Sequence, residues 1–333
     1  MKIVIRTPNW IGDTMMALPA IASVRRNLPA SEVWIAAPPW VRDIFADDES
    51  AGRLLTLEAP RRGKDLFAAA AGIRAHRFDA GLLLTNSFGS AVVFALSRIP
   101  ERWGYARDGR GLLITKRVPF RREGGPVHMV DHYLNLVSGL GIPPLVPDIR
   151  LAAMPDERQR ARDLLSAAGL DPRRPLAILN PGASFGPAKR WPEDRFAELA
   201  RILQNRHGVE IAVTGAVEDR PLAAALMDGL PRSAADLTGK TTLRGLLGLI
   251  SLASVFITND TGPMHLANAL RVPVVALFGP TDPAVTAPFH EPRAILKKDA
   301  ACWPCLYREC PYDHRCLKAI TAEETAAEAA RFL

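Results

Sequence analysis

Three short segments combine reactive side chains with turn-forming residues, each just after an apolar run. Thr7-Pro8-Asn9-Trp10-Ile11-Gly12-Asp13 follows Lys2–Arg6 and leads into helical periodicity. Asp13 there is either an N-cap, a role Asp fills well, or a general base with Thr14 taking the cap. The loop Asn180–Trp191 (NPGASFGPAKRW) is rich in small residues that let backbone amides approach a phosphate. Lys189 would add a point charge there, the alternative being an ordinary surface loop. In Asn259-Asp260-Thr261-Gly262-Pro263-Met264-His265, Pro263 suits the first helical position. A helix N-terminus there offers free N–H groups and a positive dipole end to a diphosphate. His265 either donates to a phosphate or sugar hydroxyl or is a satisfied, partly buried histidine.

Other patterns fail. Gly239-Lys240-Thr241 resembles the end of a phosphate-binding loop, but the required upstream glycine is Ala234. No G-x-G-x-x-G follows a strand, so a dinucleotide site is unsupported. No D-x-D pair exists to hold a divalent cation; Asp47-Asp48-Glu49 is the nearest approach. All four cysteines fall in one stretch, Cys302-x2-Cys305-x4-Cys310-x5-Cys316. Only one pair has C-x-x-C spacing, which favours free or transiently oxidised thiols over a structural zinc. No metal and no cofactor are expected.

The elements that must position these loops alternate regularly. In the first half, Lys2–Arg6, Val33–Ala37, Leu54–Leu57, Ala80–Thr85 and Leu112–Val118 read as strands. Thr14–Leu28, Pro39–Phe45, Gly63–His76, Phe88–Arg98 and His128–Leu140 read as helices between them. Residues 141–155 hold four prolines and read as a linker. Beyond a helix at Asp156–Ala168 the alternation resumes, with strands at Leu176–Asn180, Glu210–Thr214, Val255–Asn259 and Val274–Phe278. The expected fold class is α/β: two Rossmann-like, doubly wound domains at 1–150 and 151–320, facing across a cleft, and a closing helix within 321–333. In such sheets ligands sit beyond the carboxyl ends of the strands, where the three loops lie.

The composition agrees. A chain of 333 residues, 48% hydrophobic and 23% charged, is globular and long enough for two domains. The net charge of +7 is concentrated in residues 1–150, where 20 Lys and Arg face 14 Asp and Glu. Within residues 98–122, Arg98, Arg102, Arg107, Arg110, Lys116, Arg117, Arg121 and Arg122 face only Glu101 and Asp108. This stretch is either a solvated loop or the ground for an anionic partner. The apolar run 14–24 has Asp13 before it and Arg25-Arg26 after it, the reverse of a secretory signal. A soluble, cytoplasmic protein is expected.

Taken in order, KIVIRTPNWIGDTMMALPAI, TNSFGSAVVFALSRIPERWGY, NPGASFGPAKRWPEDRFAELA, DLTGKTTLRGLLGLISLA, FITNDTGPMHLANAL and VVALFGPTDP resemble the ADP-heptose:lipopolysaccharide heptosyltransferases of glycosyltransferase family nine. The likeness runs from residue 1 to about 320 and is greatest to the heptosyltransferase II branch. It implies a GT-B fold, with acceptor on the first domain and nucleotide sugar on the second. The implied reaction is an inverting, metal-independent transfer of L-glycero-D-manno-heptose from ADP-heptose to the first heptose of heptosyl-Kdo2-lipid A.

By the resemblance, Asp13 matches the general base and Lys189 the cation on the diphosphate. Asp260, Thr261, Gly262 and His265 match the diphosphate-heptose contacts, and Glu218 the acidic residue on the ribose. Ser184, a donor-loop residue, stands where that branch usually has Glu. Lipid A phosphates and Kdo carboxylates give the basic residues a purpose. Arg61, Arg62, Arg117, Arg121 and Arg122, with Asn86 and Ser87 of the polar turn, are expected on the acceptor. The expected setting is the inner face of the inner membrane, in transient contact with its surface and with no nucleic-acid partner. The rival readings are heptosyltransferase I or III, another GT-B enzyme such as an epimerase, and a basic nucleic-acid-binding protein with a cysteine module.

Overall fold

The computed structural model describes residues 1–46, 51–58, 63–120, 124–230 and 234–333. The chain divides into two compact units, Met1–Ile149 and Arg150–Leu333. The boundary falls inside the proline-rich segment, where residues 142–154 form neither helix nor strand.

The first unit holds one six-stranded parallel sheet of β1 (Lys2–Arg6), β2 (Glu32–Ala37), β3 (Leu54–Thr56), β4 (Ala80–Leu83), β5 (Glu101–Tyr105) and β6 (Lys116–Val118). Its order is β3-β2-β1-β4-β5-β6. Ile3, Val4 and Ile5 of β1 are all fully buried, as expected for a central parallel strand covered on both faces by helices. The order reverses between β1 and β4, whose Ile5 and Leu82 are register partners. The loops leaving those two strands therefore emerge side by side, and Asp13 follows one while Asn86 and Ser87 follow the other.

The second unit repeats the plan with β7 (Leu176–Asn180), β8 (Glu210–Val213), β9 (Ala234–Asp236), β10 (Val255–Asn259), β11 (Val274–Phe278) and β12 (Arg293–Lys297), in the order β12-β11-β10-β7-β8-β9. Here the reversal lies between β7 and β10, with Asn180 opposite Thr258. The Lys189 loop and the Asp260 loop leave from these two strands. The closing helix, Ala322–Ala330, is part of this unit's core: Ala322, Ala326 and Ala329 pack with Leu199 and Leu203 of the helix Glu193–His207.

Several boundaries differ from the sequence reading. The strand expected at Leu112–Val118 begins only at Lys116, because Arg110–Leu113 forms a 3-10 turn. The strand ahead of it, Glu101–Tyr105, lies inside the basic stretch and was not expected; its charged first residues hide the alternation that Trp103 and Tyr105 begin. β9 and β12 were also unexpected. Both are edge strands, which need less apolar character than central ones. No described helix is long and apolar enough to cross a membrane.

Candidate active site

In the second unit, side chains help to bind the loops together. Asn259 reaches across both ends of the Lys189 loop. Its Oδ1 accepts from the Trp191 amide at 3.0 Å, and its Nδ2 donates to the Pro181 carbonyl at 2.7 Å. The Trp191 ring, fully buried, anchors the loop's far end against Phe196 and donates to the Ile320 carbonyl at 3.1 Å. At the loop's other wall Gly182 lies so close to Asp219 that a Cβ would come within 2.3 Å of its carboxylate. Any larger residue there would displace the Asp219 side chain.

The loop so held delivers Lys189 to Asp260. Nζ donates to Oδ2 at 2.5 Å, and both residues are buried. Both were expected as ligand contacts; the fold also joins them in a charge-assisted pair 71 residues apart in sequence. Thr281, in the loop after β11, donates to the same Oδ2 at 2.6 Å. An ammonium has three donors. One is taken by Asp260, and Nζ also stands 4.9 Å from the Phe185 ring centre. The pair thus aims a nearly water-excluded cation with donors to spare.

Beside it begins the helix Gly262–Ala269. Gly262, not Pro263, is its first residue, with Pro263 second. Thr261 occupies the cap position in extended conformation, but its hydroxyl makes no capping bond. His265 is buried within the helix. Ser184 and Glu218 are both exposed, on the loops that meet at Gly182 and Asp219. Arg190 lies 3.7 Å from Asp219, and its Nε is buried with no hydrogen-bond partner. Sequence reasoning gave no role to Asn259, Thr281 or Arg190. For Thr281 a signal existed: like Asp260, it follows a fully buried strand at the same sheet edge.

In the first unit, Trp10 caps the helix Ile11–Asn27, so neither Asp13 nor Thr14 is the N-cap. Thr14 is buried and donates to the Pro8 carbonyl at 3.2 Å. Asp13 stands third in the helix, half-buried, where the positive end of the dipole favours an anion. Its charge is felt by Tyr133, whose phenol burial, and then Asp13, push well above its ordinary range.

Two buried guanidinium groups underlie this edge. Arg6 donates to the Thr7 and Ala36 carbonyls and, at 2.6 Å, to Asn9 Oδ1. Arg110 has no exposed surface and donates to the Tyr105 and Thr85 carbonyls and, at 2.8 Å, to Asn86 Oδ1. Burial lowers both to about 10, so both remain cations at neutral pH. Asn86 is therefore held by Arg110, and Ser87 caps the helix Phe88–Leu96 by accepting from the Ser90 amide at 3.3 Å. Arg6, Asn9, Glu58 and Ser87 line one small pocket here.

The basic stretch is not one surface. Arg110 is core, Arg102 is spent on the Ile99 and Leu113 carbonyls, and Arg107 pairs with Asp108 at 2.9 Å. Arg117 is exposed on β6. Arg61, Arg62, Arg121 and Arg122 lie outside the described residues. Among the described residues no three His, Cys, Asp or Glu form a group able to hold a metal ion, and no cysteine is in a disulfide.

Comparison with known proteins places this geometry. The profile of glycosyltransferase family 9 (heptosyltransferase) matches residues 66–315. Lipopolysaccharide heptosyltransferase 2 of Salmonella typhimurium is 32% identical over 315 residues, covering 89% of this chain and 88% of that protein. Lipooligosaccharide heptosyltransferase 2 of Campylobacter jejuni is 27% identical over 341 residues, covering 100% and 98%. The solved structure of Escherichia coli ADP-heptose lipopolysaccharide heptosyltransferase II superposes with a TM-score of 0.84 at 28% identity, covering 100% of this chain and 98% of that one. The two doubly wound sheets are those of the GT-B fold. The chain belongs to glycosyltransferase family 9, the heptosyltransferases.

Proposed function

We propose that this protein transfers L-glycero-D-manno-heptose from ADP-heptose, with inversion, to the first heptose of an anionic heptosyl-Kdo2-lipid A acceptor. The observation that carries the reading is the buried Lys189–Asp260 pair at the carboxyl edge of the second sheet, beside a helix N-terminus. Departing ADP gathers negative charge. A fixed ammonium and amide dipoles in a water-poor site stabilise that charge without reorganising, so the reaction is derived without a metal step.

In this reading the first unit binds the acceptor and the second the donor. Asp13 takes the proton of the acceptor hydroxyl as its oxygen attacks the anomeric carbon opposite ADP. One displacement inverts the centre, and no covalent enzyme intermediate forms. Lys189, Thr261, Gly262 and His265 face the diphosphate and heptose, Asp260 holds Lys189 in place, Glu218 faces the ribose, and Ser184 lies along the donor loop. Asn86, Ser87 and Arg117, together with Arg61, Arg62, Arg121 and Arg122 from the sequence, serve the acceptor. The protein meets that acceptor at the inner face of the inner membrane, in transient contact with its surface.

The test is ADP release with ADP-heptose and purified lipid A cores bearing zero, one or two heptoses. Turnover confined to the core with one heptose is expected. Turnover on the heptose-free core alone would make this a first-heptose enzyme, and none on any core would remove the reading.

A further inference from the structure

The carboxyl edge of the first sheet carries a feature that proton transfer does not use. Exposed aromatic side chains follow three of its strands: Trp40 after β2, Trp10 after β1 and Phe88 after β4, with Trp10 and Trp40 each 50% exposed. These strands are neighbours in the order β2-β1-β4. At about 4.8 Å per strand, three adjacent strands place their ends within roughly 10 Å along the edge. In the second unit, the loops that leave β7, β10 and β11 for Lys189, Asp260 and Thr281 expose no large hydrophobic side chain.

Trp40 is held in place. Its Nε1 donates to the Asn9 carbonyl at 2.7 Å, and the Asn9 side chain accepts from Arg6 at 2.6 Å. The indole is thus oriented by its polar edge while half of the residue stays open to solvent. Trp10, next to Asn9, opens the helix in which Asp13 stands third, and its carbonyl accepts from the Thr14 amide at 2.9 Å. One indole is thus bonded to Asn9, the other belongs to the residue that follows Asn9, and the proposed base lies in the next turn. Polar groups lie at the same strand ends: Arg6, Asn9, Glu58 and Ser87 line one pocket there. A lipid or protein partner would call for contiguous apolar area. Flat rings beside amide, hydroxyl and cation suit a sugar, whose C–H faces lie on aromatic rings while its hydroxyls take hydrogen bonds.

We propose that Trp40 and Trp10 are acceptor-binding residues whose indoles pack against the sugar rings of the acceptor and orient its hydroxyl toward Asp13, an inference that rests on the heptosyl-transfer reading above. The probe is the de-acylated, water-soluble heptosyl-Kdo2 oligosaccharide, with steady-state kinetics on the full chain. Trp40→Ala should raise the acceptor KM by about three- to tenfold, the usual worth of an aromatic face, and Trp10→Ala should do the same. The KM for ADP-heptose should stay within about twofold, and Trp40→Phe should recover most of the loss because it keeps a ring face. An unchanged acceptor KM in Trp40→Ala overturns the assignment. So does a loss seen only with intact acceptor in vesicles, which would make the rim a lipid contact. A matching rise in the donor KM overturns it too, since that reports a distorted edge. If the wild-type chain transfers to no heptosyl acceptor, the heptosyl-transfer reading itself has failed, which the wild-type control distinguishes from failure of the tryptophan assignment.

Discussion

The two sheets share one strand order, yet their carboxyl edges are built on opposite electrostatic plans. In the second unit the buried cation Lys189 has a buried counter-charge in Asp260 at 2.5 Å. In the first unit the buried cations Arg6 and Arg110, among the described residues, meet no carboxylate in their hydrogen bonds and rest on carbonyl oxygens and the amides of Asn9 and Asn86. An ion pair fixes one atom in space and is lost badly if half of it goes. A guanidinium spread over several carbonyls ties loops together and leaves net positive charge behind. The same backbone thus yields an ion-paired lysine in one unit and, in the other, buried guanidinium groups held by carbonyls and amides beneath exposed aromatic rings.

The sharpest way to break this contrast is at Asp13. Asp13→Asn is expected to lower turnover by about 10²–10⁴-fold, the range for a general base, with ADP binding and melting temperature nearly unchanged. A variant that loses several degrees of melting temperature but keeps its turnover would make Asp13 a stabiliser of the helix N-terminus only.

Next comes the buried pair. Lys189→Met strands the Asp260 carboxylate and should cost about 3–5 kcal/mol of stability, whereas Lys189→Met with Asp260→Leu should recover much of it. Arg110→Met strands no charge and should cost less, about 1–3 kcal/mol. Denaturant titration of the variants decides this; equal losses in the Lys189 and Arg110 single variants would erase the distinction between the edges.

The smallest effect concerns pH in the first unit. Burial, then Arg107 and Arg110, lower His132 to about 4, from an ordinary value of 6.5. The unfolded chain therefore takes up this proton first as pH falls. Stability from neutral His132 is complete above about pH 6.5 and is lost down to about pH 4, by roughly 2 kcal/mol after allowing for partial solvent access. His132→Gln should flatten that slope in unfolding measured between those two values, and an unchanged slope would show that His132 takes up its proton equally in the folded and unfolded chain.

Periodicity and punctuation were enough to read two doubly wound halves and a boundary in the proline-rich segment, and they marked the loops after β1, β7 and β10 as candidates for chemistry. These are local properties. A buried parallel strand must be an apolar run, and a turn at its end needs Gly, Pro, Asn or Asp. The strands β5, β9 and β12 escaped because tertiary pairing, not their own composition, makes them strands. Arg110 read as one cation among eight in a basic stretch, and only the fold decided that it is fully buried. Lys189 and Asp260 were both recognisable, but their union was not. Sequence spacing says nothing of a contact across 71 residues. It follows from β7 and β10 lying side by side at the reversal of strand order, which brings two distant loops to one point and lets one charge neutralise the other.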